Sequence, residues 1–222
     1  MVGLASVGLL RSVGDHRFTV VVDSLEQARS VRRRAPHASV LVSDAHRLPI
    51  LPTSFDAVLV HQSLHNLEID DAMREFARVL KPRGHLAVSY TMRDDSVPWV
   101  RRLVSIMRSI DPDAMGGDYG VAAADGLEAS PFAAGVSRSD FRLWVPISRV
   151  GLLEMVAGRF PDLDRDRLAV LLEEVGDLYE SSARAPQPLL LPYRVSCWRV
   201  SVSHDEFTST LHPPTEGIRI QL

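Results

Sequence analysis

Three features of the chain predict an α/β fold built on a mostly parallel, doubly wound sheet. From residue 18 onward, short β-branched runs alternate with stretches of helical periodicity. The runs are apolar throughout rather than alternately apolar and polar, as expected of strands covered on both faces. Polar residues follow the first three runs directly, where doubly wound sheets place their ligands.

The first run, FTVVV (residues 18–22), is a buried strand, and Ser24 is placed to cap a helix reaching about Arg34, with Leu25, Ala28 and Val31 at helical spacing. Arg32, Arg33 and Arg34 then complement the negative end of that helix. Pro36 ends it, and VLV (40–42) is the second strand. The turn-rich LPILPTS leads to a third strand, FDAVLV (55–60), and a helix over about 70–80 buries Met73, Phe76, Ala77 and Leu80. Lys81-Pro82-Arg83-Gly84 reads as a stop signal before a fourth strand, HLAVSY (85–90). A helix over about 97–109 accommodates Pro98 in its first turn. The Gly-, Ala- and Asp-rich residues 110–131 are expected to form a mobile loop or lid. A strand at 141–147, helices at about 149–158 and 164–181 and a last strand in LPYRVSCWRVSV complete one domain, residues 1–203, before a partly ordered tail, 204–222.

Composition narrows the function classes. The 222 residues are 45% apolar, enough for a packed core. A net charge of −3 without a long run of one sign favours neither nucleic acid nor an anionic membrane as a partner. Cys197 is the sole cysteine, which excludes an intrachain disulfide or a cysteine-cluster metal site, and a cytoplasmic location is the expectation. The apolar start MVGLASVGLL lacks a basic flank, and no window approaches the ~20 apolar residues of a membrane span.

The candidate site residues are those that follow the strands. Asp23 follows FTVVV, Asp44 follows VLVS, and His61 with Gln62 follows AVLV. An acidic side chain after one strand can accept from both hydroxyls of a ribose, and one after the next can accept from an adenine amino group. Each aspartate alone is an ordinary turn residue. The ordered series is a stronger signal than any member of it. A nicotinamide-dependent reductase would also use Asp23, but no tyrosine stands at the YxxxK spacing from Lys81.

The segments VVD (21–23), SDAHRLPI (43–50), SFDAVLVHQSLHNL (54–67), EFARVLKPRGHLAVS (75–89) and RDDSVPWV (93–100) resemble the class I S-adenosylmethionine-dependent methyltransferases that act on small molecules. The C-terminal LPYRVSCWR, after ISRVGLLEMVAGR, is similar to a bacterial subgroup of them. The resemblance implies a Rossmann-like sheet of order 3-2-1-4-5-7-6 with an antiparallel C-terminal strand, S-adenosylmethionine as cofactor and a small-molecule methyl acceptor as partner. By it, Asp23 with Ser24 would bind the ribose, Asp44 with Ala45 the adenine, and His61 and Gln62 would face the sulfonium. His61 and His65 are the candidate bases if the acceptor is a hydroxyl. Trp99 and Trp144 are candidates to line an acceptor pocket or to pack in the core. Arg83 stands where the family usually has a second glycine, and Tyr90-Thr91 stand where similar proteins often carry Trp-Asn.

Counting back from Asp23 places Gly14 in a turn, LASVGLLRSV in a helix, and Gly3 with Ala5 in the cofactor's glycine-rich loop. The first strand would then fall before Met1, and no acidic-GxGxG pattern is present. Three readings are open: a truncated frame, a decayed homologue, or refolding of residues 2–10 as the central strand. Each predicts weak binding of S-adenosylmethionine. The alternative function is a catalytically silent relative that acts as a binding or scaffold protein.

Overall fold

The computed structural model describes residues 18–114, 119–184 and 186–209. The expectations for Gly3, Ala5, residues 4–13 and Gly14 lie outside these residues. The chain divides into two compact units, one drawn from Met1–Ser89, Tyr119–Arg138 and Cys197–Leu222, the other from Tyr90–Asp118 and Ser139–Ser196.

In the first unit, β1 (Thr19–Val22) and β2 (Ser39–Val42) pair in parallel, Thr19 opposite Ser39 through Val22 opposite Val42. The helix α1 (Leu25–Arg34) crosses between them and buries Ala28 and Val31 against Val22, with Val20 and Val40 at the margin. The Ser24 hydroxyl accepts from the Gln27 amide, so the expected cap forms and satisfies one of the donors a helix start leaves open.

The strand β3 (Phe55–His61) runs parallel to β4 (Leu80–Arg93), and α2 (Ile69–Val79) connects them. Met73, Phe76, Ala77 and Leu80 are all buried, as the spacing predicts. Strand β4 begins five residues before the expected start, because Leu80 already pairs with Phe55 and the register slips before Ala57 meets His85. The slip absorbs Lys81–Gly84. Arg83 takes a left-handed φ of 68°, and a Cβ on Gly84 would stand 2.8 Å from the Lys81 carbonyl oxygen.

Residues 110–131, expected to form a mobile loop or lid, include a short helix, α4 (Tyr119–Asp125), which packs against the 3-10 turn Leu64–Asn66. Strand β5 (Ala133–Ile147) starts well before residue 141, and β6 (Leu189–Val202) is the last strand. A final helix, α7 (Asp205–Ser209), follows the Ser203 amide, which donates to the Phe132 carbonyl.

The second unit holds α3 (Pro98–Arg108), α5 (Arg149–Ala157) and α6 (Arg165–Ser182). Leu103, Met107, Leu152, Val156, Leu171 and Val175 form its core, and Trp99 packs at the margin while Trp144 is exposed. Asp94, only 1% exposed, lies 3.3 Å from Arg142 Nε and 3.4 Å from Arg194 Nη2, and its amide donates to the Pro192 carbonyl.

Four strands bond in the order β3-β4-β6-β5, with residues of β4, β5 and β6 contributed to both units. The pairs β2-β1 and β3-β4-β6-β5 reproduce the 3-2 and 4-5-7-6 segments of the expected order. Among the described residues no strand ladder joins the two sheets. The place of the expected first strand lies outside those residues.

Candidate functional site

The described candidates for cofactor binding and catalysis belong to the first unit, whereas Trp99 and Trp144 belong to the second. Asp23 and Asp44 follow the carboxyl ends of β1 and β2, whose register brings Val22 level with Val42. The Ser43 amide donates to the Val22 carbonyl at 2.9 Å and carries the ladder one step further. Both aspartates therefore leave the same end of one parallel pair, and both are exposed. Ser24, expected at the ribose, uses its side chain to cap α1.

Asp44 is held by a residue that the strand-end rule overlooks. The His46 amide and Nδ1 both reach Asp44 Oδ1, at 2.9 and 2.7 Å. On the other side of the ring, Nε2 accepts from the Glu68 amide at 3.1 Å. An acceptor at Nε2 places the proton on Nδ1, so the imidazole donates to the carboxylate. The His46 amide first, and then its imidazole, hold the Asp44 carboxyl below its ordinary range. Oδ2 has no protein donor among the described residues and remains an acceptor. Ala45 lies in the turn between these two residues and is half-buried.

The loop after Asp44 is fastened to α2. Glu75, 8% exposed, accepts from the Leu48 amide and from Arg78 Nε at 2.7 Å and Nη2 at 2.6 Å. Arg78 donates in turn to the Ile50 carbonyl at 2.8 Å and the Leu48 carbonyl at 3.1 Å. The Arg78 carbonyl accepts from Thr53, which has a left-handed φ of 52°. Arg78 lowers the Glu75 pKa most, with the Leu48 amide assisting. A shallow cavity of about 420 Å³ opens beside Arg47–Leu51, Glu75 and Arg78. The sequence carried one signal for the pair: positions 75 and 78 flank the apolar stripe of α2 three residues apart.

At the end of β3, His61 stands opposite Ser89 and its Nδ1 lies 2.9 Å from the hydroxyl. Its Nε2 is buried with no partner among the described residues, and burial lowers the imidazole pKa. Gln62 follows with a φ of 56°, while its amide donates to the Ser89 carbonyl at 2.9 Å. Left-handed backbone at a non-glycine residue is stored strain, and it often marks a working position. His65 lies on the exposed side of the 3-10 turn. The described residues hold no group of three His, Cys, Asp or Glu side chains able to bind a metal. No helix among them is long and apolar enough to cross a membrane.

Residues 2–88 match the family model described as a methyltransferase domain. The chain is 34% identical over 106 residues to an uncharacterised methyltransferase-like protein of Schizosaccharomyces pombe, covering 47% of this chain and 41% of that protein. It is 39% identical over 95 residues to an uncharacterised methyltransferase of Mycobacterium bovis, covering 42% of this chain and 39% of that one. The chain thus spans about two fifths of the length of these relatives. The solved structure of a type II methyltransferase candidate from Anaeromyxobacter dehalogenans superposes with a TM-score of 0.53 at 18% identity, covering 90% of this chain and 85% of that one. That likeness shows the Rossmann-like methyltransferase fold.

Proposed function

We propose that the chain is a class I S-adenosylmethionine-dependent methyltransferase and transfers a methyl group from S-adenosylmethionine to a small-molecule acceptor, a reading supported by the match of residues 2–88 to the methyltransferase-domain model. The observation that carries this reading is the placement of Asp23, Asp44 and the His61–Gln62 pair after the carboxyl ends of β1, β2 and β3, each within a parallel pair.

The donor set fits the cofactor's chemistry. Asp23 is an exposed carboxylate able to accept from two ribose hydroxyls. Asp44 offers its remaining oxygen, Oδ2, to an exocyclic amine, and the Ala45 backbone borders it. When bound, S-adenosylmethionine supplies an activated methyl group on a sulfonium, so the protein's task is mainly to align the acceptor and exclude water. His61 Nε2 sits in a dry position with an open lone pair or proton. It can hold the proton of an acceptor hydroxyl, and its lowered pKa keeps it neutral and basic near pH 7. His65 is the second candidate for that role.

Thermal unfolding with and without S-adenosylhomocysteine tests the reading. A ligand that binds only the folded chain raises its stability by about 2.7 kcal/mol at a hundred times its Kd. A concentration-dependent rise in Tm is the expected result. No rise at millimolar ligand would favour the catalytically silent relative.

A further inference from the structure

We propose that Glu75 and Arg78 are positioning residues that preform the loop after Asp44 and so set the affinity of the chain for adenine. The inference rests on the methyltransferase reading above and adds to it two residues outside the strand ends.

Within the first unit, the β1–β2 pair shares no strand ladder with β3–β4 among the described residues. Side chains and backbone groups of α2 fasten the segment leaving β2. Glu75 and Arg78 do this with a forked contact to each other and with bonds to three backbone groups of the loop, the Leu48 amide and the Leu48 and Ile50 carbonyls. Helix α2 also supplies its Arg78 and Val79 carbonyls to the Thr53 and Ser54 amides, where the loop turns into β3. His46 adds a nearer tie, from Asp44 to the Glu68 amide just before α2.

An ordinary i, i+3 ion pair on a helix is exposed and worth a few tenths of a kcal/mol. This pair differs in aim. Glu75 is nearly buried, and Arg78 spends its other donors on main-chain oxygens rather than on solvent. A lysine at 78 keeps the charge but cannot reproduce the planar fork. A loop that must order itself on binding lowers affinity by the fraction of time it is misplaced.

The test uses the full chain, with R78K, R78M and E75Q, and measures dissociation constants by calorimetry for S-adenosylhomocysteine and for S-inosylhomocysteine, which replaces the adenine amino group with an oxygen. Wild type is expected to prefer the adenine compound. In R78K and E75Q that affinity should fall by on the order of tenfold, while affinity for the inosine compound stays nearly unchanged. A merely structural role predicts a lower Tm with both affinities preserved, or lost in parallel, and either result overturns the inference while leaving the methyltransferase reading intact. Wild type that binds neither compound overturns both. Should R78M fail to fold, R78K alone decides.

Discussion

His61 and Ser89 face each other across the β3–β4 ladder, with imidazole Nδ1 2.9 Å from the hydroxyl oxygen. The contact fixes the ring through one nitrogen and leaves Nε2 buried without a partner among the described residues. Burial holds the imidazole below its ordinary value of 6.5. The unfolded chain therefore takes up this proton first as pH falls. The stabilising contribution of neutral His61 is complete above roughly pH 6.5, declines below it, and levels off under the folded-state pKa. Urea unfolding of wild type and H61Q between about pH 5 and pH 8 should show the wild-type advantage shrinking as pH falls through 6.5. An advantage constant over that range would contradict the assignment.

Asp94 gives the opposite class of titration with the same direction on pH. Bonds from Ser96 first, then the charges of Arg142 and Arg194, hold its carboxyl below the ordinary range. Its stabilisation is present above the unfolded value of about 3.9 and is lost as pH falls through the depressed one. Arg142 and Arg194 are themselves largely exposed, so each ion pair is worth ~0.2–1 kcal/mol. D94A, which also strips the Ser96 amide of its acceptor, is expected to cost about 1–3 kcal/mol near neutrality. The loss should narrow in acid, and chemical denaturation at pH 3 and pH 7 compares the two.

The irregular start of β4 predicts a pair of opposite effects. Arg83 has a φ of 68°, a conformation that costs an L-residue ~1–2 kcal/mol and glycine almost nothing. R83G should raise stability by about 0.5–1 kcal/mol after glycine's larger chain entropy is subtracted. G84A pushes a methyl to 2.8 Å from the Lys81 carbonyl oxygen and should lower stability by about 1–3 kcal/mol. Urea midpoints of the two variants against wild type are the measurement; shifts of the same sign would refute this account.

Ser24 has two proposed roles that substitution separates. Its hydroxyl accepts from the Gln27 amide at 3.3 Å, so S24A should cost ~1 kcal/mol. S24D preserves a cap and should keep the stability. Beside Asp23 it also adds a second carboxylate, so affinity for S-adenosylhomocysteine should fall if the ribose lies there. Unchanged affinity in S24D would confine Ser24 to capping.

The legible parts of this chain were those whose signals are local. Strand β1, the Ser24 cap and the buried face of α2 each follow from a few adjacent residues or from a helical repeat. The early start of β4 was hidden because Lys81-Pro82-Arg83-Gly84 has turn chemistry, and the ladder simply continues through it by a slip in register. Helix α4 and the front half of β5 were hidden by glycine, alanine and serine, residues whose state tertiary contacts decide. In the candidate site, Asp23, Asp44 and His61 were visible by position after apolar runs. His46, Glu75 and Arg78 act by reaching backbone groups up to thirty positions away, and no spacing in one sequence encodes such a partner.

Strand β5 closes one end of the strand order, and Phe141, Leu143 and Val145, at alternate positions on it, are 57%, 50% and 38% exposed. An edge strand that carries an exposed apolar stripe is a template for strand addition between molecules. The expected consequence is colloidal: the purified chain should associate as its concentration rises, and L143K should delay the onset. Light scattering across a dilution series, with identical curves for both proteins as the contrary result, would show whether solubility rather than stability limits what this protein can be asked to do in solution.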